Sequence, residues 1–132
     1  MKEKQIKVIK VEPMKKPYLC TLTNELSELQ KAVSTDADYV GLIEIIELTD
    51  DVCLLCNEEG KIINLEPNRR IGNDIICGVF YLTGQTKDGD LASIPEYAIP
   101  AYIEYFSNNI EKIDPEEINK CFGFGFEILW KI

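Results

Sequence analysis

Histidine is absent from this chain of 132 residues. Its absence excludes Ser-His-Asp and Cys-His activation of a nucleophile, histidine general bases and histidine metal ligands. An enzyme built from this sequence would have to use carboxylates, lysine, tyrosine or an unassisted thiolate. The acidic stretch at Asp88 and Asp90 also lacks the alternating oxygen ligands and the closing glutamate of a calcium loop, and its composition is typical of a turn.

Long apolar runs are missing as well. No stretch approaches the ~20 apolar residues that a membrane-spanning helix needs. Residues 1–13 include lysines, but they contain neither the apolar core nor the small-residue cleavage site of a signal peptide. We therefore expect a cytoplasmic protein that does not contact a membrane.

Cysteine is present, but without the partners that a metal site needs. The five cysteines are Cys20, Cys53, Cys56, Cys77 and Cys121. Cys53 and Cys56 have CxxC spacing, yet there is no second such pair and no histidine to complete four ligands. Positions three apart in a strand also point to opposite faces. The sequence predicts reduced core cysteines, with no metal and no cofactor.

Positive charge is scarce outside the N-terminus. The chain has 14 lysines and arginines against 23 acidic residues, a net charge of −9. Residues 1–16 contain six lysines and two glutamates, so the remaining chain holds 8 positive and 21 negative charges. Because nucleic-acid binding needs cations that displace counterions, we expect no direct nucleic-acid binding and expect another protein as the partner.

The hydrophobic pattern predicts an α+β fold in one domain, residues 1–132. Strands are expected at 5–12, 18–23, 39–48, 52–57, 61–65, 74–84 and 122–132. Helices are expected at 24–34 with Asn24 as N-cap, after Ser93 with a break or a new first turn at Pro100, and after Asp114. The prediction is a mostly antiparallel sheet of five to seven strands, with two or three short helices packed on one face.

Residues 56–70, "CNEEGKIINLEPNRR", bring a thiol, carboxylates, asparagines, a lysine and two arginines into one short window. A tight turn at Gly60 explains Glu58 and Lys61 through solvation alone. Arginine side chains suit carboxylate or phosphate recognition, so a partner-binding surface is the alternative to a structural turn. We take Asn57, Glu58, Lys61, Asn68 and Arg69 as the candidate surface, with Lys61 and Arg69 as its charged anchors and with no catalytic residue.

The chain resembles a known family in six stretches. They are "VEPMKKPY" (11–18), "LSELQKAV" (26–33), "IEIIELTDDVCLLCNEEGK" (43–61), "LEPNR" (65–69), "ICGVFYLTG" (76–84) and "GDLASI" (89–94). Their order and spacing resemble the domain of unknown function 3846 over about residues 6–106, with 107–132 as an extension. The resemblance implies a setting on plasmids, conjugative elements and phages of Gram-positive bacteria, and it implies no activity. Its matched positions are Asn57, Glu58, Gly60, Lys61, Asn68 and Arg69.

Three functional hypotheses follow. The first is a small, acidic, non-enzymatic accessory factor of a mobile element or phage that binds a protein. The second is an acidic mimic of nucleic acid or an anti-defence inhibitor, because 21 acids follow residue 16. The third is an enzyme that works without histidine. An exposed edge strand, the lysine-rich N-terminal strand among them, could also pair with a second copy to form a homodimer.

Overall fold

The computed structural model describes residues 3–34 and 41–118. In chain order the strands are β1 (Gln5–Val11), β2 (Tyr18–Thr23), β3 (Ile43–Glu47), β4 (Val52–Asn57), β5 (Pro67–Ile71), β6 (Asp74–Cys77), β7 (Phe80–Gln85) and β8 (Leu91–Ala92). The helices are α1 (Leu26–Ala32), a 3-10 turn (Glu96–Ala98) and α2 (Ile99–Asn108). No helix in the described ranges has the length and apolar character needed to cross a membrane.

The main sheet is antiparallel, with the order β2-β1-β7-β4-β3 and with β8 paired to β7. Short hairpins connect β1 to β2 and β3 to β4, which explains why these strands are neighbours. The lysine-rich strand β1 lies between β2 and β7. It is therefore an inner strand and not an edge that could receive a partner.

Alternation along the inner strands divides the apolar residues between two faces. One face carries Ile9, Leu54 and Leu82, and it packs against Phe106 of α2. The opposite face carries Val8, Leu55 and Tyr81, and it packs against Leu29 of α1. The α+β class is confirmed, but α1 and α2 lie on opposite faces. Because the inner strands are apolar on both faces of the sheet, each face needs a packed element that shields it from water.

A second, two-stranded sheet lies beside the main one and consists of β5 and β6. Ile71 and Ile76 on one side of this hairpin join the core under α2. Ile75 and Cys77 on the other side pack against Ile113 and Ile118. The hairpin is thus a buried layer between the main sheet and the chain that follows α2.

Several predicted boundaries are wrong for identifiable reasons. Residues 61–64 form turns and not a strand, and Pro67 begins β5 instead of ending a strand. The predicted strand 74–84 is interrupted at Gly78, which has φ 84°. A Cβ there would lie 2.7 Å from Leu65 Cδ1, so both the backbone and the space require glycine.

Two predicted helix caps also differ from the structure. The α1 N-cap is Glu25, while Asn24 is buried and donates hydrogen bonds to the carbonyls of Glu3 and Leu91. Ser93 contacts Glu3 and Lys7 and does not cap the helical turn. In contrast, Pro100 lies in the first turn of α2, as predicted. The strand predicted at 122–132 lies outside the described residues.

Candidate functional site

Arg69 lies inside the protein, with none of its surface exposed. Its guanidinium donates to the carbonyl oxygens of Phe106 at 3.0 Å and Lys15 at 2.7 Å, and to the side-chain oxygen of Asn68 at 2.7 Å. The Phe106 carbonyl belongs to the last turn of α2, where the helix dipole favours a cation. Burial lowers the pKa of Arg69, but a guanidinium stays charged at neutral pH.

Asn68 completes this arrangement. Its side chain is fully buried and donates to the carbonyls of Val11 at 2.8 Å and Gly78 at 2.9 Å. We call Asn68 and Arg69 together the polar clamp, because they join the end of β1, the turn after it, the connection between β6 and β7, and α2. The expectation that these two residues form an exposed surface is corrected by their burial.

The rest of the predicted surface divides between inside and outside. Asn57 is 5% exposed, and its side chain donates to the Val33 carbonyl and accepts from the Glu59 backbone. Its role in the structure is to hold the turn that follows β4. Glu58 is exposed, and Lys61 is partly exposed and forms an ion pair with Asp74. Only these two of the five candidates have side chains that reach solvent.

Cys56 and Lys61 border a cavity of about 70 Å³, together with Glu44 and Asp74. This volume is comparable to that of two or three water molecules and is far below the ~300–1,000 Å³ of ligand sites. Burial, with the Glu44 carboxylate as a smaller contribution, raises the pKa of Cys56 to about 12. The thiol is therefore protonated at neutral pH and is not an activated nucleophile. Within the part of the chain that the structure describes, no three acidic or cysteine side chains form a group that could hold a metal ion.

The aromatic residues of the 97–106 region contribute in different ways. Phe106 is buried and makes an edge contact with Phe80 at a centroid distance of 5.4 Å, as core packing predicts. Tyr97 is 71% exposed and donates a hydrogen bond to Asp51. Tyr105 is 52% exposed and borders a shallow apolar depression with Leu48 and Ile71. Of these aromatic side chains, Phe106 packs in the core, whereas Tyr97 and Tyr105 are exposed.

A larger open groove of about 460 Å³ lies on the α1 face of the main sheet. We call it the charged groove; it is lined by Lys10, Glu12, Pro13, Lys31, Ala32, Ser34, Leu65, Glu66, Gly78, Val79 and Tyr81. Its volume is within the ~300–1,000 Å³ range of ligand sites. Two lysines and two glutamates surround apolar surface, so neither sign of charge dominates.

Tyr81 gives the charged groove a fixed wall. Its hydroxyl donates to the Ala32 carbonyl at 3.1 Å, and the Lys10 ammonium lies 5.9 Å from the centre of its ring. Burial raises the pKa of Tyr81, so the phenol stays protonated. Tyr18 donates to Glu12 at 2.8 Å, and this hydrogen bond lowers the pKa of the Glu12 carboxyl. The Tyr81 wall can therefore contact a bound molecule, but neither the Tyr81 phenol nor the Glu12 carboxyl titrates near neutral pH, as a general acid or base would.

A family model, the domain of unknown function DUF3846, matches residues 6–107. The chain belongs to this family. No curated protein and no solved structure matches it. The match agrees with the resemblance in the six stretches noted above and, like it, carries no activity.

Several of the six stretches that carry the resemblance meet in the folded chain. Four of the six contribute to the charged groove: 11–18 supplies Glu12 and Pro13, 26–33 supplies Lys31 and Ala32, 65–69 supplies Leu65 and Glu66, and 76–84 supplies Gly78, Val79 and Tyr81. Sequence reasoning missed this site because its residues are up to 71 positions apart, from Lys10 to Tyr81. The convergence of these stretches becomes visible only in the folded chain, so no local pattern in the sequence pointed to the site.

Proposed function

We propose that the protein is a non-enzymatic, cytoplasmic accessory factor of a mobile genetic element or phage, and that it binds another protein through the charged groove. The observation that carries the proposal is that four of the six stretches quoted for the resemblance meet on this one open surface. The buried polar clamp lies behind it and holds the supporting elements together. Glu58 and Lys61 would be peripheral contacts.

The chemistry of the groove fits an extended polypeptide segment. Val79, Leu65 and Ala32 offer apolar contact, while the four charged side chains can pair with both lysine and glutamate side chains of a partner. A nucleic acid would need a positive surface, which the balanced charges of the groove do not provide. A small-molecule site normally encloses most of its ligand, whereas this groove is open to solvent.

The test compares two double variants of the full chain that both keep the net charge at −9. Lys31→Glu with Glu66→Lys reverses two exposed charges of the groove. Lys87→Glu with Glu104→Lys reverses two exposed charges outside the groove. Each protein is immobilised and exposed to a Gram-positive cell lysate, and bound proteins are identified by mass spectrometry after washes at low and high salt.

We expect a partner that the wild type and the Lys87/Glu104 variant retain and that the groove variant loses at least tenfold. Equal retention by both variants would contradict the proposed binding surface. A DNA-binding partner that leaves all three proteins at high salt would instead support the mimicry hypothesis, because imitation of phosphates is mainly electrostatic.

A further inference from the structure

The two edges of the main sheet differ in their protection against pairing. Edge strand β3 carries two exposed glutamates among its five residues, Glu44 and Glu47. Edge strand β2, "YLCTLT", carries no charge, and Tyr18 and Leu19 are 44% and 46% exposed. Natural proteins protect edge strands with charges, prolines or bulges, because an unprotected edge is a template for another strand. Strand β2 has none of these within its six residues, and its register with β1 is regular throughout.

The outward row of backbone groups on β2 follows from its pairing with β1. The Asn24 amide donates to the Lys4 carbonyl at 2.7 Å, in the same register that pairs Leu22 with Ile6. Hydrogen-bonded positions alternate along an antiparallel pair, so the even-numbered residues of β2 bond to β1. The amides and carbonyls of Leu19, Thr21 and Thr23 therefore point away from the sheet.

We propose that β2 pairs antiparallel with β2 of a second copy of this chain, about a two-fold axis at Cys20. The two sheets then continue into one. Outward groups must face outward groups, so the axis lies at a residue and not between two residues; Cys20 and Thr21 are the two such positions nearest the middle of β2. With the axis at Cys20, Leu19 of each copy exchanges hydrogen bonds with Thr21 of the other.

The residues that flank β2 select Cys20 over Thr21. With the axis at Cys20, Pro17 of one copy faces Thr23 of the other. Pro17 has no amide to donate, and the Thr23 carbonyl already accepts from the Glu25 amide at 2.9 Å. The position without an amide, Pro17, therefore faces a carbonyl that already has a donor. Every outward amide of β2 can then donate to a carbonyl of the other copy.

Charge favours a second copy over an unrelated strand. Lys15 and Lys16 precede β2, and Glu25 follows it; all three residues are exposed. Antiparallel pairing brings the start of one strand beside the end of the other. Lysines of each copy then lie near Glu25 of its partner at both ends, so the edge is complementary to itself.

The test uses the full chain and sedimentation equilibrium over a wide range of concentrations. The wild type is expected to form a dimer. One variant, Leu19→Lys with Thr21→Lys, places like charges opposite each other twice across the proposed pair. A second variant, Leu19→Lys with Thr21→Glu, places opposite charges there instead. From the energies of cross-strand pairs, the dissociation constant should be roughly tenfold higher for the first variant than for the second.

Two features make the comparison sharp. The like-charge variant has the smaller net negative charge, so general repulsion between monomers acts against the expected order. Ile45→Lys on β3 is the matched control, since Ile45 and Leu19 are both 46% exposed on edge strands, and it should leave the dimer unchanged. Thermal unfolding followed by circular dichroism checks that each variant is folded.

Three outcomes would overturn the proposal. The first is a wild type that remains monomeric at every concentration. The second is equal dissociation constants for the two charge variants, which an axis at Thr21 would also give, because the introduced groups at position 21 would then face their own copies. The third is a dimer that Ile45→Lys abolishes, which would place the interface at β3.

Discussion

Residues 56–70 contain two sets of polar side chains: one set is buried and the other is exposed to solvent. Cys56, Asn57, Asn68 and Arg69 are buried and bond to other parts of the chain. Glu58, Glu66 and Arg70 are exposed. Arg69 and Arg70 show the contrast most clearly. They are adjacent in the chain, yet Arg69 is buried and bonds to the interior, whereas Arg70 lies on the surface. Polar composition alone therefore does not identify a binding surface.

A buried cation without a carboxylate partner has a specific physical role. Arg69 donates to carbonyls from the turn after β1 and from the end of α2. Removing one member of such a network costs the full desolvation of the groups left behind. The comparison of inward and outward residues can thus be tested by substitutions of matched chemistry.

Arg69→Met should have the largest effect, a loss of about 3–5 kcal/mol in the free energy of unfolding, because it leaves the Phe106 and Lys15 carbonyls unsatisfied. Arg70→Met removes exposed ion pairs with Glu111 and Glu117 and should cost less than about 1 kcal/mol. Urea denaturation measures both. Similar losses of unfolding free energy for the two variants would contradict the distinction between the buried and the exposed arginine.

Asn68→Ala should destabilise by about 2 kcal/mol, since the Val11 and Gly78 carbonyls lose their donor. Asn108→Ala, at an exposed position near the end of α2, is the control and should change stability by less than about 0.5 kcal/mol. The midpoint and slope of urea denaturation give the free energy of unfolding of each variant. A cost at Asn68 as small as that at Asn108 would mean that the clamp does not need its amide.

The raised pKa of Cys56 predicts that the stability of the folded protein falls at alkaline pH. Its pKa is raised from 9.0 to about 12 in the folded protein, so the folded state keeps a proton that the unfolded state loses. Stability from this group is complete below pH 9 and is lost as the pH rises toward 12, by at most about 1.4 kcal/mol per pH unit.

The measurement compares unfolding free energies of wild type and Cys56→Ala at pH 7, 8 and several values from 9 to 11. The variant should be less stable at neutral pH but should lose stability less steeply above pH 9. Both proteins should respond alike between pH 7 and 8. Parallel curves over the whole range would show that the Cys56 thiol is accessible to solvent.

Glu66→Lys should have the smallest effect on stability, below about 0.5 kcal/mol, because the side chain is exposed. Thermal unfolding checks this expectation. A small change here beside a large change at Arg69 would sharpen the division of residues 56–70 into an interior and a surface set. A large change would show that Glu66 supports the fold and is a poor probe of the charged groove.

Strand β5 shows why sequence reasoning failed at the polar clamp. A strand that alternates between faces would bury either Asn68 or Arg69, but not both. The pairing of β5 with β6 shifts register between Pro67 and Arg69, so two consecutive residues turn inward. This irregularity depends on the partner strand and leaves no periodic signal in the sequence. The exposed turn at Glu58 and Lys61 was predicted correctly, because glycine and adjacent charges indicate a turn locally.

The sequence by itself determined the α+β class, the strands β1, β2 and β4, the buried cysteines that the structure describes, and the exclusion of histidine chemistry. Each of these depends on composition or on a period that neighbouring residues define. Only the tertiary structure decided which face each helix covers, which arginine is buried and where distant stretches meet in the charged groove. Those features depend on strand pairing and packing between residues far apart in the chain, and no local pattern encodes them.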